Sequence, residues 1–274
     1  MNSNIQVLNK VCQKLNLDYQ LQHSSKNIVE VTIAGKKHLF TSFDTPLNSQ
    51  SVNKLCRDKD YFYQYFQDII NMPKTQAYLN PHHEGAYTRY LELNTITHIM
   101  QSIEQNFQFP MIIKQNRGTS GKNVFKAENL QQLEIGLLSI FNKNDMSFDY
   151  VALAQEMIDI EIEYRVIYLH GQLQFAYEKS NESAQFTGNL SPLHWEGAKA
   201  VLQTEQTILD AIDEFCQSLF QKMMIPFCGL DVVLDKQGQW WLLEANSAPA
   251  FHHFIKSGYE NEVMTFYEKL LTSL

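Results

Sequence analysis

Cysteine is scarce and scattered: Cys12, Cys56, Cys216 and Cys228 stand far apart, with no Cys-x-x-Cys pair. That spacing argues against a disulfide framework and for reduced, mostly buried thiols of a cytoplasmic protein. Positive charge is also short, with 22 Lys and Arg against 30 Asp and Glu and a net charge of −8. No basic field draws this chain to nucleic acid or anionic lipid, although a local pocket for a phosphate stays open. No apolar run approaches the length that spans a bilayer, so no membrane partner is expected. The opening MNSNIQVLNKVCQKLN is polar and amphipathic and lacks the apolar centre of a signal peptide. Internal repeats, low-complexity tracts and a GxxxxGK[ST] phosphate loop are all missing. What is present is ordinary globular composition, 44% hydrophobic and 19% charged over 274 residues. That length can bury a large core, as one big domain or as two to three lobes.

Along the chain, Ile5, Leu8, Val11, Cys12 and Leu15 recur at helical spacing. Ile28–Ile33 and His38–Phe43 flank Ala34-Gly35-Lys36 as a hairpin. An N-terminal unit of roughly 45 residues is too small for a dinucleotide-binding Rossmann unit. One helix is expected over Asn48–Asn71, ended by Pro73, then a polar loop at Asn80–Gly85 and a helix over Tyr87–Gln105. Phe109–Lys114 reads as a strand, Gln115–Lys122 as a glycine-containing loop and Asn123–Lys126 as a returning strand. Glu128–Phe141 reads as helix, Val151–Met157 as strand, and Ile162–Leu169 with Gln172–Tyr177 as a hairpin. Glu178–Gly197 is long, polar and loop-like, a length that in a compact domain marks function or mobility. Thr204–Met223 and Ser257–Leu274 read as helices around a last hairpin. Strands and helices alternate without a strict parallel rhythm, so the class is α+β.

The stretch with the most chemistry is that last hairpin, CGLDVVLDKQGQWWLLEANSAPAF. Leu230–Leu234 and Gln239–Leu243 flank the turn signal Asp-Lys-Gln-Gly. Facing residues in an antiparallel pair have numbers of constant sum, and an even-length loop at Asp235–Gly238 makes that sum odd. Asp231 and Glu244 then share a face, and Asn246 joins them two residues on. Two carboxylates and an amide oxygen, with no His or Cys beside them, suit a hard cation such as Mg²⁺. The bland alternative is two solvated acids at strand ends. Lys114 closes an apolar strand and needs an anion or a wet cleft. The loop after it, with Gly118, Thr119, Ser120 and Gly121, can offer backbone N–H groups to phosphate, or be a plain hairpin tip. Glu156 and Glu163, across the short connection Met157–Ile162, can frame a purine and its ribose, or face solvent. Arg165 and Lys179 can meet a phosphate or form surface ion pairs. The pairs His82-His83 and His252-His253 lack a third ligand at metal spacing.

Taken in order, these segments resemble the ATP-grasp superfamily of carboxylate–amine ligases, over roughly Ser51 to Gly258. GLDVVLD followed by LLEANSAPAF is similar to the family's metal segment, which implies Mg²⁺ (two ions, with Mn²⁺ able to substitute) on Asp231, Glu244 and Asn246. FPMIIKQNRGTSGKNV looks like the second phosphate lysine and the lid loop, implying Lys114, Ser120 and Gly121 as ATP contacts. Arg57-Asp58-Lys59 resembles the first phosphate lysine, implying Lys59. QEMIDIEIEYRV resembles the adenine linker, implying Glu156, Met157 and Ile158 at the purine and Glu163 at the ribose. Arg165 in EYRV, and Lys179 followed by Asn189-Leu190, look most like the ribosomal-protein glutamate ligase and cyanophycin synthetase group. They imply Arg165, Lys179 and Asn189 as catalytic residues.

The resemblance implies an ATP-grasp fold in three units: 1–74 as a short N-terminal lobe and linking helix, 75–155 as a central lobe with the lid, and 156–274 as a C-terminal lobe with the metal site. It implies ADP-forming ligation of a small-molecule or peptide carboxylate to an amine through an acyl phosphate. A non-catalytic ATP-binding protein of synapsin type and a phosphotransferase use the same scaffold and stay open. Three departures stand out. Ala250 replaces a customary glycine. Leu230 replaces an arginine of D-alanine–D-alanine ligases, which argues against that activity. The short N-terminal lobe leaves part of the acceptor site missing or supplied by a second subunit of a homodimer.

Overall fold

A computed structural model describes residues 1–82 and 89–274 of the chain. Three antiparallel sheets organise the described residues. Helix α1 (Ser3–Lys14) opens the fold, and Asn2 caps it by accepting from the Ile5 N–H. The next sheet is β1-β2-β3, formed by Asp18–Gln22, Ile28–Ile33 and Lys36–Thr41. Strand β1 escapes the sequence pattern because DYQLQ is polar, with only every second residue even half-buried.

The helix expected over Asn48–Asn71 is two helices, α2 (Gln50–Arg57) and α3 (Lys59–Phe66). Asp58 breaks it by leaving helical geometry (φ −102°, ψ 100°) and accepting from the Tyr61 N–H. A short carboxylate is worth more capping a helix than lying inside one. Chain direction therefore changes immediately before Lys59.

The central sheet has the order β4-β7-β5-β6: Thr75–Leu79, Val151–Glu156, Met111–Gln115 and Val124–Ala127. Helices α4 (Ile96–Asn106) and α5 (Leu130–Ile140) cover one of its faces, burying Ile99, Ile103, Met111, Ile113 and Leu137. Helix α4 starts later than the expected Tyr87 because Thr95 caps it through the His98 N–H. The part of that expectation at residues 87–88, like residues 83–85 of the Asn80–Gly85 loop with His83 among them, lies outside the described residues. The uncovered face carries Thr75, Lys114 and Gln155, since side chains alternate across a strand.

The third sheet runs β10-β9-β8-β11-β12: Lys199–Leu202, Gln172–Ser180, Ile160–Leu169, Phe227–Asp235 and Trp240–Asn246. Strand β9 continues to Ser180, and β10 pairs with its end, so the long polar connection is shorter than its composition suggested. One face packs Tyr164, Val166, Leu230 and Val232 against α2, α3 and α6 (Gln206–Lys222). The other face is divided. At one end Ile167, Tyr177 and Phe227 pack with α1, β2, β3, α7 (His252–Lys256) and α8 (Glu260–Thr272), so the N-terminal segment shares its core with the C-terminal one. The opposite end carries ionised side chains. All four cysteines are buried free thiols. Among the described residues no helix is long and apolar enough to cross a membrane.

Candidate active site

Strand register decides which polar groups meet. Near the turn, Leu234, Val233 and Val232 face Trp240, Trp241 and Leu242, whereas Asp231 faces Glu244. The loop therefore closes with the other parity from the expected one, with the Asp235 N–H donating to Gln239 O at 3.0 Å. A β-bulge between Asp231 and Val232, with Leu243 as the extra residue, shifts the ladder by one. Without it the pairing would set Asp231 opposite Leu243, and Glu244 would turn to the other face. Asp231 and Glu244 do share a face, but through the bulge and not through an even-length turn.

Strand β8 lies on the other side of β11, with Arg165 opposite Asp231. The guanidinium forks the carboxylate, Nε donating to Oδ1 and Nη2 to Oδ2 at 3.0 Å. From β9, Lys179 donates to Glu163 and lies 2.9 Å from Asp231 Oδ2. Asp231 and Lys179 are 4% and 6% exposed, so these contacts act in a weakly screened interior. Gly229 makes room for the fork, because a Cβ there would meet Arg165 Cδ and Pro249 Cβ, each at 3.0 Å. Asn246 donates through Nδ2 to Glu244 Oε1 at 3.3 Å.

Two more cations come from other elements. Lys59, the first residue of α3, donates to Gly118 O at 2.7 Å and lies 3.4 Å from Glu244 Oε2. Lys114 on β5 donates to Gln155 Oε1 at 2.9 Å, and Gln155 Nε2 donates to Thr75 Oγ1 at 2.7 Å. Lys59, Thr75, Lys114, Gln155 and Glu244 line one cleft, walled on its apolar side by Met72 and Leu243. Burial, with Lys59 as a neighbouring cation, lowers the Lys114 ammonium to about 8. Burial works against the charge of Glu244, yet Lys59, Lys114, Arg165 and Lys179 outweigh it and hold this carboxyl well below the usual range. For Glu163, burial wins and raises the carboxyl despite Lys179.

The glycine-containing loop is braced from both lobes. Asp58, 2% exposed, accepts from Asn116 Nδ2 at 2.8 Å and from Arg117 Nη2 at 2.9 Å, while Asn116 Oδ1 accepts from the Asp60 N–H. Ser120 and Gly121 both have positive φ, 59° and 67°. Asn189 Nδ2 donates to Ser120 O at 3.0 Å, and a Cβ on Gly121 would run into the Asn189 amide. Gly121 is thus required both by φ and by space.

The other expected positions are more distant in their bonding. Glu156 Oε1 accepts from the Lys74 N–H at 2.6 Å, so its carboxylate ties β7 to the segment before β4. Its neighbour Gln155 faces the cleft instead. Met157 is exposed and Ile158 O accepts from the Ile160 N–H at the crossing between sheets. His252 and His253 lie on α7, where His253 meets His194 ring to ring. Sequence reading missed Thr75, Gln155, Asn116 and the capping role of Asp58. The available signal was a polar residue within a buried run, as in ALAQE.

Two carboxylates and an amide oxygen fit a hard divalent ion by donor type. Among the described residues no three His, Cys, Asp or Glu side chains surround a common point, and both Asp231 oxygens are held by cations.

The model of the RimK-like ATP-grasp domain family matches residues 90–264. Among solved structures, the chain resembles the D-alanine–D-alanine ligase of Bacillus anthracis at 13% identity and TM-score 0.55, covering 82% of this chain and 72% of that one. The VanG D-Ala:D-Ser ligase of Enterococcus faecalis matches at 16% identity and TM-score 0.58, over 82% of this chain and 64% of its own. The ATP-grasp ligase PsnB, complexed with minimal precursor, matches at 14% and 0.52, over 83% and 64%. Identities this low speak for a common fold, and the chain spans less than two thirds of the latter two. No curated protein matches at a significant level.

Proposed function

The chain belongs to the RimK-like ATP-grasp family, and from that premise we propose that it is an ADP-forming ligase joining a carboxylate to an amine, with amino acids or peptides as substrates. The observation that carries this reading is the single cleft shared by Lys59, Lys114 and Glu244, brought from α3, β5 and β12. In this reading ATP enters between the four- and five-stranded sheets. Lys59 and Lys114 neutralise its α- and β-phosphates, and the Ser120-Gly121 loop covers the β- and γ-phosphates. Glu163 takes the ribose hydroxyls, with Glu156, Met157 and Ile158 beside the purine. Asp231, Glu244 and Asn246 hold Mg²⁺ (two ions, or Mn²⁺), which when bound offsets charge on the transferring phosphoryl group.

The substrate carboxylate oxygen attacks the γ-phosphorus, the bond to the β-phosphate oxygen breaks, and ADP leaves behind an acyl phosphate. The amine nitrogen then attacks the acyl carbon, loses its proton, and inorganic phosphate departs. Arg165 stabilises the oxyanion between these events, a role worth about 3–4 kcal/mol for a well-aimed donor. Lys179 balances the charge beside it. Asn189 orders the lid through its bond to Ser120, which keeps water from the acyl phosphate. We assign the protein to the cytoplasm and infer that a second copy completes the acceptor site.

The test is product analysis. ADP and phosphate should form only when both a carboxylate and an amine are supplied. AMP with pyrophosphate would reject the acyl-phosphate route, and nucleotide binding without any turnover would favour the non-catalytic alternative.

A further inference from the structure

Asp231 is placed as a metal ligand but bonded as an anion already satisfied. Arg165 takes both of its oxygens in a fork, and Lys179 adds a contact to Oδ2 at 2.9 Å. Lys179 is itself held in place by Glu163, and the Lys179 side chain is only 4% exposed. Glu244 is engaged as well, by Lys59 at 3.4 Å and by the Asn246 amide at 3.3 Å. Counted together, the cations Lys59, Lys114, Arg165 and Lys179 face the carboxylates Glu163, Asp231 and Glu244, an excess of one positive charge. A divalent ion approaching this cluster meets a like charge in a poorly screened interior. It reaches Asp231 only against the repulsion of the guanidinium and the ammonium that already hold both of its oxygens.

A nucleotide reverses both conditions. Its phosphates carry about three to four negative charges, which turn the net charge of the cleft negative. Their oxygens also give Arg165 and Lys179 somewhere else to go. The geometry points to Arg165 and Lys179 as built-in counter-ions that keep a divalent cation off Asp231 until an anionic nucleotide enters the cleft. The inference rests on the ligase reading and adds an order of filling to it. Nucleotide and metal must then favour each other's binding by the same factor, since coupling between two sites is reciprocal.

The experiment uses the full chain, Mn²⁺ as the probe, and water-proton relaxation enhancement, which rises when Mn²⁺ is carried by a macromolecule. Wild-type protein with Mn²⁺ alone should bind no ion tighter than about 1 mM. Added ADP should raise the affinity by about 10- to 100-fold. Lys179→Met and Arg165→Met, each confirmed folded by circular dichroism, should take up Mn²⁺ without ADP and depend less on it. Measurable and equal Mn²⁺ binding by the wild type with and without ADP would overturn the inference. So would variants that, without ADP, bind no better than the wild type. If neither variant folds, the wild-type pair of titrations decides, gain on ADP supporting the inference and no gain overturning it. Should the wild type stay free of Mn²⁺ with ADP while the variants bind it, the counter-ion role stands and the nucleotide reading falls.

Discussion

Lys114 offers a sharp test, because its charge is balanced near neutrality. It sits at the end of an apolar strand, 8% exposed, with a neutral amide as its hydrogen-bond partner and Lys59 as a neighbouring cation. Those surroundings lower the ammonium to about 8. A phosphate placed against it would restore the charged form, so binding and protonation are linked. The sign follows directly. Affinity for ADP is fully present below about pH 8 and is lost as pH rises through that value. With a bound-state value well above 9, the apparent Kd should rise about tenfold between pH 7 and 9, roughly 1.4 kcal/mol. A lysine at its ordinary value of about 10.4 would give almost no change over the same range. Titration calorimetry with ADP at fixed Mg²⁺ measures the curve, and buffers of different ionisation enthalpy report the accompanying uptake of about half a proton near pH 8. Lys114→Arg should flatten it, because arginine stays charged throughout. A flat wild-type profile, or an unchanged slope in Lys114→Arg, would refute the placement of Lys114 against phosphate.

Glu244→Gln should abolish Mg²⁺-dependent turnover and also lower thermal stability, because it removes the carboxylate that Lys59, Lys114, Arg165 and Lys179 hold ionised, whereas normal activity would contradict Glu244 as a metal ligand. Asp58→Ala should cost about 2–3 kcal/mol in urea unfolding, from the lost cap of α3 and the donors of Asn116 and Arg117 left behind. It should also raise KM for ATP, because Lys59 is the next residue, and an unchanged KM would separate the cap from the site. Gly229→Ala should displace Arg165 or Pro249 and lower kcat more than it lowers the melting temperature, with the reverse pattern counting against a crowded site.

Much of the molecule is legible in local pattern. The apolar runs in FPMIIK and GLDVVL specify strands, and their polar members stand out because burial of a charge demands a partner. The order of lysine, glycine loop, paired acids and Asn-x-x-Pro carries the family resemblance, since it reflects which chemistry each segment bears and not how the segments meet. Short range is also where reading fails. DYQLQ is too polar to look like a strand, and Asp58 looks like a helix residue until its side chain is seen bonded to the Tyr61 N–H.

Residue types and their sequence order were enough to indicate two lysines, two acids and an amide directed at one anionic ligand. Whether they converge was a matter of long-range packing. The bulge at Leu243 turns Glu244 toward Asp231, the break at Asp58 aims Lys59 at the glycine loop, and α1 completes a core with strands more than 150 residues away. A bulge costs one unpaired residue and leaves no composition signature. It persists because the neighbouring strands and helices hold the ladder on both sides of it, and that constraint exists only once the sheet is assembled.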